Sequence, residues 1–127
     1  MIRKPTIGAA LLTASVSAFA SNWVSVAENQ KSVVAIDTQS IVRKGTTVVV
    51  WEQLTYRTPE SGYSDHQPTA MLKVRQAIRC LDRTMNSQTY VRIAPDGSIL
   101  WSGPGDGKFK DIVPDSLAEA ILINVCK

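Results

Sequence analysis

The sequence predicts an α+β protein in which an antiparallel β-sheet is covered by one C-terminal helix. Short β-branched and aromatic runs follow one another from residue 23 to about residue 101, with turn residues between them at regular intervals. The last apolar run follows a helix-capping signal and has apolar residues at helical spacing. Two cysteines, one at the end of a predicted strand and one at the end of that helix, are candidates to join the two layers.

Residues 1–20 have the features of a secretory signal peptide. Arg3 and Lys4 form a positive start, a mostly apolar run of small residues follows, and Ala18-Phe19-Ala20 fits an A-x-A cleavage site. The apolar run is shorter than the roughly 20 residues needed to span a bilayer, and a buried helix or a membrane anchor is the competing interpretation. We predict cleavage after Ala20, a single mature domain over residues 21–127, and no membrane-spanning segment in that domain.

The composition of the mature part restricts its location and its partners. Ser21, and not a cysteine, stands directly after the predicted cleavage site, so we expect an exported protein without a lipid anchor, in the periplasm or at the cell surface. The chain has 14 basic and 11 acidic residues; without Arg3 and Lys4, 12 basic residues remain and the net charge is only +1. Nucleic-acid-binding domains usually carry a clustered basic excess, so nucleic acid is not an expected partner.

Cys80 and Cys126 are the two cysteines of the chain, and both lie in the mature part. Export places them in an oxidising compartment, where such a pair usually forms a disulfide. A bridge between positions so far apart in the sequence stabilises a fold by roughly 4 kcal/mol in the chain-entropy description. A reactive thiol or a metal-binding pair is the alternative, but the chain lacks the CxxC spacing or clustered histidines typical of such sites.

Four candidate strands occupy the first half of the mature chain, each bounded by turn residues. A polar stretch at residues 28–31 separates the first two, and Asp37 and Ser40, whose side chains can bond their own backbone, mark the second turn. Gly45 can supply the positive φ of the third turn. The predicted strands cover residues 23–27, 32–37, 40–43 and 46–57, in the manner of a meander.

The strand predicted over residues 70–80 indicates which side of the sheet is buried. Its even positions are mostly apolar and its odd positions are mostly charged, as in a strand with one buried and one wet face. A polar loop at residues 59–68 precedes it, and we expect that loop to be exposed, without a part in the core. The apolar positions are Leu72, Val74, Ile78 and Cys80, and the cations are Lys73, Arg75 and Arg79.

A hairpin and a helix complete the predicted fold. Residues 88–93 and 98–101 flank a Pro-Asp-Gly turn. After a glycine-rich connector, Ser116 and Glu119 match the S-x-x-E capping box. Residues 117–125 are apolar on most sides, so we expect this helix to lie flat on the sheet.

No catalytic or metal-binding constellation is recognisable in the sequence. His66, the only histidine, lies beside Asp65 in the polar loop, where a catalytic or metal site is the alternative to a solvated loop residue. The glycine-rich stretch at residues 103–107 departs from the phosphate-binding loop pattern at two positions. We therefore expect no enzyme activity, no cofactor and no bound metal.

The wet face of the strand over residues 70–80 is the one surface that indicates a binding site. Fixed cations on a rigid sheet attract acidic protein segments or sulfated glycans, at a rate that falls as the salt concentration rises. An ordinary solvated sheet face is the alternative interpretation. The candidate ligand-binding residues are Lys73, Arg75 and Arg79, joined by Arg57 and Arg92 from neighbouring strands.

Several separated pieces of the mature sequence form a series with a characteristic order and spacing. They are Trp23-Val24, Ala35-Ile36-Asp37, Ser40-Ile41, Arg43-Lys44-Gly45, Val48-Val49-Val50-Trp51, Cys80, Tyr90, Asp96-Gly97, Ile112-Val113-Pro114-Asp115-Ser116 and Val125-Cys126. With these pieces the chain resembles the surface-adhesin protein E family of Gram-negative bacteria over nearly its whole mature length. The resemblance implies an antiparallel sheet of about six strands, with the C-terminal helix held on one face by a Cys80–Cys126 disulfide.

The resemblance also implies a kind of partner. The family takes its name from an adhesin, so the expected partners are host extracellular proteins such as vitronectin, laminin or plasminogen. We therefore predict an exported, non-enzymatic binding protein. The alternative is a periplasmic accessory or structural protein of an envelope complex.

Overall fold

The computed structural model describes residues 20–127, so the predicted signal peptide, apart from Ala20, lies outside the described residues. The described part of the chain contains eight strands, one α-helix and one short 3-10 helix, Thr38–Ser40. The strands and the α-helix are β1 (Trp23–Glu28), β2 (Ser32–Asp37), β3 (Val42–Lys44), β4 (Thr47–Glu60), β5 (Thr69–Arg79), β6 (Thr84–Ile93), β7 (Ile99–Pro104), β8 (Lys110–Asp111) and α1 (Leu117–Val125).

All eight strands join one antiparallel sheet. Six of them form a continuous series in the order β1-β2-β4-β5-β6-β7. The two short strands extend its margins: β3 pairs with the first part of β4, ahead of the part that pairs with β2, and β8 pairs with the start of β6. The predicted antiparallel sheet is confirmed. Of its two short strands, β3 corresponds to the strand predicted over residues 40–43, and β8 was not predicted.

The main difference from the predicted strands lies in β6. This strand begins at Thr84 rather than at residue 88, because its register with β5 shifts between Arg75 and Gln76 and leaves Gln88 as an extra residue. Such a bulge interrupts the alternation of side chains by which a strand is recognised in a sequence. The four residues before it were therefore missed.

α1 packs on one face of the sheet and closes the hydrophobic core. Because side chains alternate along a strand, the core takes every second residue of the central strands. Full burial of one Val, Leu or Ile side chain contributes about 1.5–3 kcal/mol. The buried apolar residues of this core are Val34, Ile36, Val48, Val50, Ile78, Ile112, Ile121, Leu122 and Val125.

Contacts at both ends hold α1 in position. Ser116 Oγ accepts a hydrogen bond from the Glu119 N–H at 3.2 Å, as the capping-box pattern predicts. At the other end, the Arg43 guanidinium donates to the Val125 carbonyl oxygen at 2.6 Å. A cation is favoured there because the last carbonyl groups of a helix lack partners within it.

The predicted disulfide joins Cys80, directly after β5, to Cys126, directly after α1. The two Cα atoms are 5.6 Å apart, and neither cysteine is free. The alternative interpretations, a reactive thiol or a metal-binding pair, are therefore wrong. The bridge ties the end of the helix to a central strand of the sheet.

The two faces of the sheet differ in what covers them. We call the side that carries α1 the helix face and the opposite side the open face. The cross-strand pair Val48–Ile78 lies in the core under α1. The pair Trp51–Arg75 is three residues along the same strands, so its side chains lie on the open face.

Candidate functional site

β5 places three of the predicted binding residues on the open face. Lys73, Arg75 and Arg79 occupy odd positions of this strand, so their side chains lie opposite α1. Positions two residues apart on one strand are separated by about 7 Å. Within residues 20–127, none of the three belongs to an ion pair. Their charges are therefore not neutralised by a neighbouring carboxylate of the described chain.

Two of these cations rest on aromatic rings. Lys73 Nζ lies 5.3 Å from the centroid of the Trp23 ring, and the central guanidinium carbon of Arg79 lies 3.7 Å from that of Phe109. A contact of this kind is worth about 0.5–1 kcal/mol at an exposed site. It holds the cation over the ring face, while the N–H groups at the edge of a stacked guanidinium can still donate to a carboxylate.

The connector between β7 and β8 brings Phe109 to Arg79. The Gly105 N–H donates to the Gln88 carbonyl oxygen at 2.9 Å. A Cβ atom at Gly105 would clash with the Ser87 carbonyl oxygen, so only glycine permits this approach. The glycine-rich stretch is thus packed against the bulge of β6.

Arg92 does not join the cations of β5, contrary to the prediction. It pairs with Leu72 between β6 and β5, which places it on the helix face, and only 9% of it is exposed. Its guanidinium donates to both Asp65 carboxylate oxygens at 2.9 and 3.0 Å, and to Thr69 Oγ1 at 3.1 Å. The sequence of β6 alone could not reveal this, because the face that a residue occupies depends on register between strands.

Arg57 lies near the far end of β4 and already has a carboxylate partner. Its guanidinium donates to the Glu28 carboxylate at 2.9 Å and to the Asn29 carbonyl oxygen at 3.1 Å. An exposed pair of this kind contributes only about 0–1 kcal/mol to stability, but its charge is locally balanced. The structure thus brings together three of the five predicted cations and separates the other two from them.

The loop at residues 61–68 is anchored to the helix face through Arg92. The Tyr63 ring centroid lies 4.0 Å from the central guanidinium carbon of Arg92, and its hydroxyl is 3.0 Å from that of Tyr56. Hydrogen bonds from Arg92 hold the pKa of Asp65 below its ordinary value, and burial raises the pKa of Tyr56. As predicted, the loop is exposed apart from the half-buried Tyr63 and none of its residues joins the core; its contacts with Arg92 and Tyr56 were not predicted.

His66 lies on the exposed side of this loop, with a φ of 57°. Both oxygens of the neighbouring Asp65 carboxylate already accept hydrogen bonds from the Arg92 guanidinium. Between residues 20 and 127, no three His, Cys, Asp or Glu side chains are grouped so that they could hold a metal ion. The same part of the chain has no helix of the length and apolar character needed to cross a membrane.

The open face also has a cleft that the sequence analysis missed. Its volume is about 340 Å³, and it crosses from the edge strand β1 to β6. Alternation along β4 could place Trp51 on this face, but it could not show which residues of the other strands lie beside Trp51. The cleft is lined by Ser21, Trp23, Asp37, Trp51, Lys73 and Val91.

Comparison with known proteins supports the resemblance seen in the sequence. Residues 23–127 match the family described as surface-adhesin protein E. A structure of Haemophilus influenzae protein E has a TM-score of 0.59 at 10% identity, with 85% of this chain and 86% of that chain covered. A selenomethionine form of that protein has a TM-score of 0.57 at 10% identity, with 85% and 92% covered. At this identity the likeness shows a shared fold, and no curated protein matches the chain.

Proposed function

This chain belongs to the surface-adhesin protein E family, and we propose that it is an exported, non-enzymatic protein that binds host extracellular matrix or plasma proteins through its open face. We choose the open face because it carries three cations, Lys73, Arg75 and Arg79. None of them has an ion-pair partner within the described chain. The helix face, in contrast, is covered by α1 and by the loop at residues 61–68.

An acidic segment of a partner suits the open face. Fixed cations accelerate the encounter with an acidic surface, and close charge pairs then slow dissociation. The effect weakens with salt, since the Debye length falls from about 10 Å at 0.1 M to about 3 Å at 1 M. Binding is therefore expected to be strongest at low salt.

Export to the cell surface is part of this proposal. Residues 1–20 direct the chain out of the cytoplasm, and the mature protein begins at Ser21 without a lipid anchor. An external protease is expected to digest the protein on intact cells while a periplasmic marker survives. Digestion only after the outer membrane has been opened would contradict surface display and favour the role in an envelope complex.

Charge reversal on β5 tests the binding face. The double variant Lys73→Glu/Arg75→Glu is expected to bind immobilised vitronectin, laminin or plasminogen about tenfold more weakly than the wild type at low salt, a loss of about 1.4 kcal/mol. The reason is that two attractive charges become repulsive at the contact. Biolayer interferometry over a series of salt concentrations measures the affinity and its salt dependence.

A matched control variant distinguishes an effect of the open face on binding from an effect of the net charge. Lys31→Glu/Lys127→Glu changes the net charge equally, but its two exposed lysines lie at the β1–β2 turn and at the C-terminus. We expect it to bind like the wild type. Equal weakening in both double variants, or no binding of the wild type to any of the three proteins at low salt, would contradict the proposal.

A further inference from the structure

We propose that the cleft lined by Trp23, Trp51, Lys73 and Val91, called the tryptophan cleft below, binds one aromatic side chain of an acidic peptide segment in the partner protein. This inference rests on the proposed function and names the kind of segment that the open face recognises. The tryptophan cleft supplies apolar contact, and the neighbouring cations of β5 supply the charge.

The side chains of Trp23 and Lys73 lie flat across the open face. Trp23 is on β1 and Lys73 is on β5, with β2 and β4 between them, so their backbones are about 14 Å apart at the usual strand spacing. Lys73 Nζ is nevertheless only 5.3 Å from the Trp23 ring centroid. Both side chains must therefore extend toward each other along the sheet. The small Ala35, in the same cross-strand row as Gln53 and Lys73, leaves room for the indole.

Hydrogen bonds fix the backbone directly before Trp23. The Asn22 N–H donates to Asp37 Oδ1 at 2.9 Å, and the Asn22 side-chain amide donates to Thr38 Oγ1 at 2.8 Å. The Thr38 N–H donates back to the Asn22 carbonyl oxygen at 2.9 Å. The start of a domain is usually poorly ordered unless it is tied down. These bonds hold Trp23 in place and so lower the ordering cost of binding.

The walls of the tryptophan cleft suit an aromatic side chain. Two indoles, the Val91 side chain and the stem of Lys73 line a shallow, open depression of about 340 Å³, a volume at the lower end of the roughly 300–1,000 Å³ typical of ligand sites. That space suits one side chain better than a cofactor. Tryptophan is enriched at the energetic centres of protein interfaces, and a pair of aromatic rings contributes more to binding than its buried area alone.

Charge complementarity selects an acidic segment. Arg75 is the cross-strand neighbour of Trp51, and Lys73 lines the tryptophan cleft itself. Neither cation has an ion-pair partner among residues 20–127. The Asp37 carboxylate also lines the cleft, but Asp37 is 7% exposed and its Oδ1 already accepts two backbone N–H groups. An aromatic residue flanked by Glu or Asp matches both the cleft and its cations.

Two short blocked peptides, Glu-Glu-Phe-Glu-Glu and Glu-Glu-Ala-Glu-Glu, test the inference when each is titrated calorimetrically into the mature protein at low salt. We expect the wild type to bind the Phe peptide about tenfold more tightly than the Ala peptide, or 1.4 kcal/mol. Trp51→Ala is expected to bind both alike. Trp101→Ala is the matched control, because Trp101 pairs with Arg92 and so lies on the side opposite the tryptophan cleft; it should keep the preference.

Val91→Glu is a second variant for the case that Trp51→Ala does not fold. It keeps both indoles and places a carboxylate in the tryptophan cleft, so the preference for the Phe peptide is expected to disappear. Equal binding of both peptides by the wild type, or a preference that survives in these variants, would overturn the inference, even where Lys73→Glu/Arg75→Glu weakens binding to matrix proteins. Absence of binding to every peptide and every matrix protein would remove the proposed function itself.

Discussion

Glu52 is an acidic residue on the helix face of β4, where its cross-strand neighbours are Ile36 and Val74. The Gln76 amide donates to its carboxylate, and Gln76 Oε1 accepts from the Ser87 hydroxyl at 2.8 Å. Burial is the larger effect and raises the pKa of Glu52, while the hydrogen bond from Gln76 opposes it. The folded protein therefore holds this proton more tightly than the unfolded chain does.

Replacing this carboxyl group changes the pH dependence of stability. The protonated Glu52 carboxyl group contributes to the free energy of unfolding because its pKa is raised in the folded state. This contribution is complete below the ordinary pKa of 4.5 and is lost as the pH rises through the folded-state pKa. Glu52→Gln keeps an acceptor for Gln76 without a buried charge, so we expect its free energy of unfolding at pH 7 to be higher by on the order of 1 kcal/mol. Urea unfolding at a series of pH values measures this difference.

Asp82→Asn is the control for Glu52→Gln, because it removes one exposed acidic charge at the turn before β6. It is expected to leave the pH dependence of unfolding close to that of the wild type. A Glu52→Gln protein that is less stable than the wild type at pH 7, or that shows the same loss of stability with rising pH, would contradict the assignment of Glu52 as a poorly solvated carboxyl group.

The face of the sheet that a side chain occupies could be predicted only where alternation within one strand decides it. Lys73, Arg75 and Arg79 were placed correctly on one face, since alternation along β5 is a local property. Arg92 was placed on the wrong face, because its side is decided by the pairing of β6 with β5 across a bulge. No feature within β6 encodes that pairing.

Among the elements, the helix was predicted best. Its bounds, Leu117–Val125, agree with the predicted residues 117–125, because the Ser116 cap and the apolar spacing are both local signals within one short segment of the sequence. The exposure of the loop at residues 61–68 and its absence from the core were also predicted, but its anchoring contact was not. Its composition is that of a solvated segment, but its anchor is an arginine more than twenty residues later in the sequence.

The disulfide is the element-scale contact with the largest expected effect on stability. Converting both Cys80 and Cys126 to Ser is expected to lower the free energy of unfolding by roughly 4 kcal/mol, because the unfolded chain regains the freedom of a long loop. Thermal unfolding with and without reductant measures this effect. The wild type should melt earlier when reduced, and the double Ser variant should not respond. A wild-type melting temperature indifferent to reductant would contradict the prediction.

At the scale of the whole molecule, the fold assigns different roles to its two faces. α1, the disulfide and the anchored loop close the helix face, while the open face keeps three cations of β5 without carboxylate partners in the described chain. The strand order β1-β2-β4-β5-β6 brings the residues that line the tryptophan cleft side by side on the open face. The cleft could not be predicted from the sequence, since residues about fifty positions apart meet there through long-range pairing.

Hydroxyl-radical footprinting of the protein bound to a matrix protein tests most directly whether the open face is the binding surface. Trp23 and Trp51 line the tryptophan cleft, whereas Trp101, which is 46% exposed, lies on the other side of the sheet. We expect complex formation to lower the oxidation of Trp23 and Trp51 and to leave that of Trp101 unchanged. Protection of Trp101 alone, with Trp23 and Trp51 oxidised as in the free protein, would contradict the account.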